Sequence, residues 1–131
     1  MAEERPFGPP NAESGTIHRV PESVERAVDR QVRAYNLHDL DEFIACYADT
    51  VEVEDADGCV VMHGREEMRK QYGRAFDAFP QLQAEIVSRI RVGLYVVDEE
   101  LVTGRPDGDL RAIAIYRVGQ DGLIDRVRLL R

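Results

Sequence analysis

The sequence predicts an α+β domain in which three helices lie on one side of a curved, mostly antiparallel sheet. Three observations carry this reading. Between Pro21 and Phe79, apolar residues recur at helical spacing in three stretches. After Pro80 the chain reads as four strands separated by glycine and aspartate turn signals. A short strand pair around Asp57-Gly58 is inserted before the third helix. Runs of helices followed by runs of strands are the pattern of an α+β layer.

With 131 residues, 44% of them hydrophobic, the chain is long enough to bury one core and too short for two domains to be expected. Its 17 Lys and Arg stand against 25 Asp and Glu, a net charge of -8 that is the wrong sign for a phosphate-backbone binder, so nucleic acid is not an expected partner. No apolar run approaches the roughly 18 to 20 residues of a membrane span, and Met1 to Val20 lacks the hydrophobic centre of a signal peptide. The expectation is a soluble, cytoplasmic protein with no membrane partner. Cys46 and Cys59 have no CxxC or Cys/His ligand spacing and read as small core residues.

Residues 1 to 20 hold Pro6, Gly8, Pro9, Pro10 and Gly15 without a hydrophobic period, and are expected to form a flexible N-terminal arm ahead of a domain over 21 to 131. Val20-Pro21 then starts the first helix, with Glu22 and Glu25 near the positive end of its dipole. Val24, Ala27, Val28, Gln31, Val32 and Tyr35 make its inward stripe. The amide of Gln31 needs partners if buried there, either facing a cavity or lying at the edge of the stripe. Asn36 is the expected helix end. Asp39-Leu40-Asp41-Glu42 resembles a capping box that opens a second helix carrying Leu40, Phe43, Ile44 and Tyr47 and stopping near Ala48-Asp49-Thr50.

From Val51 to Asp55 the alternation puts Val51, Val53 and Asp55 on one strand face, with Glu52 and Glu54 on the other. Asp57-Gly58 is a turn, Cys59 to His63 a second short strand, and Gly64 opens a helix with Met68, Tyr72, Phe76 and Phe79 on its apolar side. Asp55 and Tyr72 are thereby expected to line one hydrophobic cavity. Pro80 ends that helix by restricting Phe79.

Beyond Pro80, Leu82, Ala84, Ile86, Ser88, Ile90 and Val92 alternate with more polar residues in a long strand with one apolar face, broken or bent at Gly93. Leu94 to Thr103 and Leu110 to Val118 are the next strands, joined through Arg105-Pro106-Asp107-Gly108, and the last runs from the Gln120-Asp121-Gly122 turn to Arg131. Ile113 and Ile115 lie on the opposite face from Leu110, Ala112, Ala114 and Tyr116. Since the helices are used on one side, the outer face is expected to be covered by a second copy in a homodimer.

The run from Tyr47-Ala48-Asp49 through Val53-Glu54-Asp55 and Gly58 to His63-Gly64-Arg65-Glu66, followed by Tyr72, resembles the nuclear transport factor 2-like superfamily, in particular its SnoaL-like and ketosteroid-isomerase-like members, over about residues 22 to 131. The resemblance implies a cone-shaped roll of three helices on a curved sheet. It places the isomerase's general-base aspartate on Asp55 and a pocket tyrosine on Tyr72. The isomerase's oxyanion donors do not carry over: Gln31 stands at the position of its helix tyrosine and Ala114 at that of its protonated aspartate. Loss of one such donor costs on the order of a hundred- to a thousand-fold in rate, which argues against steroid isomerisation of that type. SnoaL-like proteins include polyketide cyclases, dehydratases and isomerases.

Two readings of Asp55 stand beside each other: a general base, its pKa raised by apolar surroundings, or a turn residue whose carboxylate accepts N–H groups near Asp57 and Gly58. Tyr72 is a possible partner for it, and His63 an acid or shuttle or else a structural histidine. Gln31, Tyr35, Phe43, Phe76, Phe79, Ala114 and Tyr116 are the expected substrate-binding wall. No metal set or cofactor motif is expected: the three histidines are not spaced as ligands, and there is no phosphate loop or nucleophile elbow. The first functional reading is a cofactor-independent isomerase, cyclase or dehydratase that removes a proton next to a carbonyl of a small hydrophobic substrate. The second is a domain of the same fold that binds an apolar ligand or dimerises without chemistry.

Overall fold

A computed structural model describes residues 22–131; the expected arm and the helix start at Val20-Pro21 lie outside the described residues. The elements are α1 (Glu22–Leu37), α2 (Leu40–Ala45), β1 (Tyr47–Glu54), β2 (Val60–His63), α3 (Gly64–Ala78), β3 (Gln83–Val92), β4 (Tyr95–Thr103), β5 (Leu110–Val118) and β6 (Ile124–Leu130). The six strands form one sheet in the order β2-β1-β6-β5-β4-β3. β1 and β6 pair in parallel, and every other neighbouring pair is antiparallel. The helices cover one face, α1 packing on β3, β4 and β5 and α3 on β1.

Helix α1 buries Val24, Ala27, Val28, Gln31 and Ala34, with Val32 and Tyr35 half-buried, which is the stripe its spacing predicts with Ala34 added. It runs one residue past Asn36. His38 then takes the left-handed backbone, φ 57, so that its N–H donates to Tyr35 O and the Asp39 N–H to Ala34 O, two bonds that satisfy the last helical carbonyls. Non-glycine residues seldom adopt this geometry. Here the ring is held by Phe76, stacked at 4.7 Å, and by an Nε2 contact of 2.8 Å to Leu82 O. Asn36 clamps the start of β3 by donating to Ala84 O and accepting from Ala84 N–H. Asp39 caps α2 through the Glu42 N–H, as the capping pattern predicts.

The expected extent of α2 is corrected: it stops at Ala45, and Tyr47 already belongs to β1. Parallel pairing explains the early stop, because Cys46 O accepts the Ile124 N–H and draws the chain into the sheet. Cys46 is buried as expected, whereas Cys59 is exposed at the hairpin turn, and both are free.

A second correction concerns β3. A bulge between Ile86 and Ser88 reverses the parity of the rest of the strand, so Ile90 and Val92 point outward at 63% and 67% exposure. Arg89 and Arg91 turn inward instead and meet α1. Arg89 makes a bidentate pair with Asp98, 2.6 and 2.9 Å, and reaches Asp29 at 2.6 Å, while Arg91 reaches Glu25 at 2.8 Å. Asp98 is wholly buried, a position a carboxylate tolerates only with such pairing. The hydrogen bonds that Arg89 donates to Asp98, first, and to Asp29 raise its pKa above the ordinary value.

The core is continuous from α1 and α2 through β1 to β5 and β6, centred on Val28, Phe43, Val51, Val53, Met68, Val96, Val118 and Ile124. A satellite of Phe76, Leu82 and Val102 sits under the end of α3. No helix among the described residues is long and apolar enough to cross a membrane.

Candidate functional site

Between the helices and the concave sheet face lies a cavity of about 250 Å3. α1 supplies Gln31, Val32 and Tyr35, α2 Phe43, and α3 Met68 and Tyr72; the floor comes from Val53, Glu100, Val102, Ala112, Tyr116, Val127 and Leu129. Phe43 and Tyr72 pack with ring centroids 4.7 Å apart, and Tyr35 meets Phe76 edge-on at 5.5 Å, so one wall is a cluster of rings.

Across this cavity runs a directed chain of hydrogen bonds. The Tyr47 hydroxyl donates to Gln31 Oε1 at 3.0 Å, Gln31 Nε2 donates to the Tyr116 oxygen at 3.0 Å, and the Tyr116 hydroxyl donates to Glu100 Oε2 at 3.2 Å. The sequence left Gln31 either facing a cavity or at the edge of its stripe; the structure buries it at 3% exposure, its amide joining two tyrosines. All donors in the chain point toward Glu100, which ends it as an acceptor.

Glu100 is the only acidic side chain lining the cavity among the described residues. Burial pushes its pKa up to about 7; the Tyr116 hydrogen bond opposes this, nearby Asp98 adds to it, and Arg131 and Arg89 offset part of it. Burial likewise pushes Tyr72 up to about 12 and holds Tyr35, Tyr47 and Tyr116 well above the ordinary phenol value. The phenols therefore stay protonated as neutral donors near neutral pH, while the carboxyl can take or give a proton there.

Asp55 does not take the inward place that alternation assigns it. β1 ends at Glu54, with a bulge at Val53/Glu54, and the backbone turns at Asp55. Its carboxylate accepts the N–H groups of Asp57 at 3.0 Å and Cys59 at 3.1 Å. The turn reading of this residue describes its contacts, and Asp55 is absent from the cavity wall. His63 is also outside the cavity: its exposed ring lies 3.3 Å from Glu52 on the outer face, and its N–H donates to Glu67 Oε1 at the start of α3. Of the expected wall, Gln31, Tyr35, Phe43, Phe79 and Tyr116 line the cavity together with Tyr72. Phe76 and Ala114 do not; Phe76 fills the satellite core, and Ala114 is sealed at 0% exposure two residues along β5 from Ala112, which lines the cavity instead.

Glu100, Tyr47 and the two arginines of the lining, Arg105 and Arg131, are absent from the set that the sequence nominated. A signal for Glu100 was present. Val96, Asp98, Glu100 and Val102 share one parity in β4, two carboxylates bracketed by valines on a face that must meet the helices. Among the described residues no group of three or more His, Cys, Asp or Glu is placed to hold a metal.

A curved open sheet with three helices on its concave face is the cystatin-like, nuclear transport factor 2-like fold. Residues 28–127 match the SnoaL-like domain, and the chain belongs to that family. No curated protein matches it in sequence. Among solved structures, an uncharacterized cystatin-fold protein from Novosphingobium aromaticivorans is 31% identical, with a TM-score of 0.75 over 83% of this chain and 97% of that one. A Mycobacterium tuberculosis protein in complex with estradiol-17β-hemisuccinate is 20% identical, with a TM-score of 0.70 over 82% and 92%. A Kribbella flavida protein named as a candidate ketosteroid isomerase is also 20% identical, with a TM-score of 0.70 over 83% and 77%.

Proposed function

We propose that this cavity binds a small hydrophobic carbonyl compound and that Glu100, in place of Asp55, moves a proton at the carbon next to the carbonyl. The observation that carries this reading is a lone carboxyl in an apolar cavity, poised near pH 7 by burial and oriented by the Tyr116 hydroxyl. In the reaction the Glu100 carboxylate takes the α-proton, the C–H electrons move into the C–C bond, and the carbonyl π electrons move to oxygen. The enolate oxygen is then in reach of a neutral phenol donor on the wall, Tyr72 or Tyr35. Return of the proton from Glu100 to another carbon gives isomerisation. Its return to a departing hydroxide, which leaves as water, gives dehydration.

The test follows α-proton exchange of 2-tetralone in D2O by proton NMR. Wild-type protein is expected to accelerate exchange over buffer, and Glu100→Gln to return it to background. Equal exchange by both proteins, or none by wild type with the ketone bound, overturns the reading.

The ring cluster of Tyr35, Phe43, Tyr72 and Phe76 supports a second reading, in which the cavity holds an apolar ligand without chemistry. Binding of the ketone with no exchange is its signature. For the outer face we propose a second copy of the chain, as the helices lie on the other side and Val87, Ile90, Val92, Tyr95 and Ile113 are exposed there.

A further inference from the structure

Four tyrosines line the cavity, and they divide into two kinds. Tyr47 and Tyr116 are used in the chain that ends at Glu100. Tyr35 and Tyr72, on α1 and α3, have no hydrogen-bond partner for their hydroxyls among the described residues. Both side chains are half-buried, which leaves their hydroxyls open to water or to a ligand acceptor in the cavity.

Strand register gathers a second feature at one end of the sheet. Gln83 pairs with Thr103, Val102 with Leu110, and Ile113 with Leu130, so the start of β3, the β4–β5 loop and the end of β6 lie together. Arg105 from that loop and Arg131 after β6 both reach the cavity lining there. Arg131 has no ion pair among the described residues, and Arg105 has only a long 3.9 Å contact to Asp107, whose side chain is 83% exposed. Such a contact is screened by water and contributes little. The charges act into the cavity all the same: Arg131 opposes the rise in pKa of Tyr35, Tyr72 and Glu100, and Arg105 that of Tyr35. On a chain of net charge -8, two cations at the end of an apolar cavity are a local exception to the overall field.

We infer that the ligand is amphipathic: an apolar body in the cavity, an acceptor oxygen at the Tyr35 and Tyr72 hydroxyls, and a carboxylate at the mouth held by Arg131 and Arg105. This deepens the small-molecule reading above and rests on it. Guanidinium groups match a planar carboxylate by paired N–H donors, and a neutral ligand of the same shape leaves them without that partner. An anion bound deeper meets the Glu100 carboxylate, so the charged end belongs at the arginines and the uncharged acceptor within.

Calorimetric titration with two matched compounds tests this. 6-Acetyl-2-naphthoate carries ketone and carboxylate; 2-acetylnaphthalene carries the ketone alone. Wild type is expected to bind the carboxylate about ten-fold more tightly or better, and the paired substitution Arg105→Gln with Arg131→Gln to remove that preference while leaving the neutral ketone unchanged. Raised salt is expected to weaken only the carboxylate. Equal affinity of wild type for the two compounds, or equal weakening of both by the double variant, overturns the inference with the cavity reading intact. Failure of both compounds to bind overturns the cavity reading as well. Melting temperature of the double variant, expected to be unchanged, shows that affinity is being read and not folding.

Discussion

The Tyr116 hydroxyl donates to Glu100 Oε2 across 3.2 Å, while its oxygen accepts the Gln31 amide at 3.0 Å. A carboxyl on β4 is thereby tied through β5 to the first helix, and its proton affinity is raised first by burial and opposed first by this donor.

Glu100→Gln has a stability consequence whose sign follows from its shift. The folded pKa of about 7 exceeds the ordinary 4.5, so the stabilising contribution of the protonated form is complete below 4.5 and lost as pH rises through 7. Relative to wild type, the Gln variant is expected to gain roughly 2–3 kcal/mol between pH 4.5 and 8, after allowance for partial exposure. Urea unfolding at both pH values measures it; a constant difference between the two proteins contradicts the shift.

Tyr116→Phe removes the bond that holds the Glu100 pKa down and strands the buried Gln31 amide. The midpoint of any pH-dependent proton exchange is expected to move above 7, and stability to fall by about 1–3 kcal/mol. An unmoved midpoint with lowered stability assigns Tyr116 to structure alone.

Asp55→Asn keeps the shape of the hairpin turn and weakens its two bonds to the Asp57 and Cys59 N–H groups. A loss of about 1–2 kcal/mol is expected, with proton exchange unaffected. Exchange reduced a hundred-fold or more in a stable Asn variant restores Asp55 as the base.

Gly104 has φ +84, and a Cβ there lies 2.0 Å from Gln81 O, so Gly104→Ala is expected to cost about 3 kcal/mol or more. Gly93→Ala is the control: φ is +59, but nothing lies within 4 Å, and only the backbone cost of about 1 kcal/mol remains. Thermal melts of the two variants compare them directly.

Ile113, at 39% exposure on the outer face of β5, serves to test association. Wild type is expected to sediment as a dimer at micromolar concentration and Ile113→Lys to shift toward monomer. A stable monomeric wild type shows that the outer apolar face needs no partner.

The fold was legible because it rests on local signals: the helical stripe of α1, the Asp39 cap, the Asp57-Gly58 turn, Pro80 and the glycine-marked hairpins all act within a few residues of themselves. Much of the cavity wall followed from the same periodicities, which placed Gln31, Tyr35, Phe43 and Tyr72 inward. Local sequence therefore encodes the set of elements and most of their buried faces. Tertiary structure decided the rest, because strand parity survives only as long as register does. A bulge after Ile86 exchanges Ile90 and Val92 for Arg89 and Arg91 on the inner face, and the end of β1 at Glu54 turns Asp55 out of the cavity. Whether β1 joins β6, which carboxyl the α1 amide reaches through Tyr116, and which arginines meet at the cavity end depend on contacts between residues far apart in the chain, and no local periodicity encodes those distances.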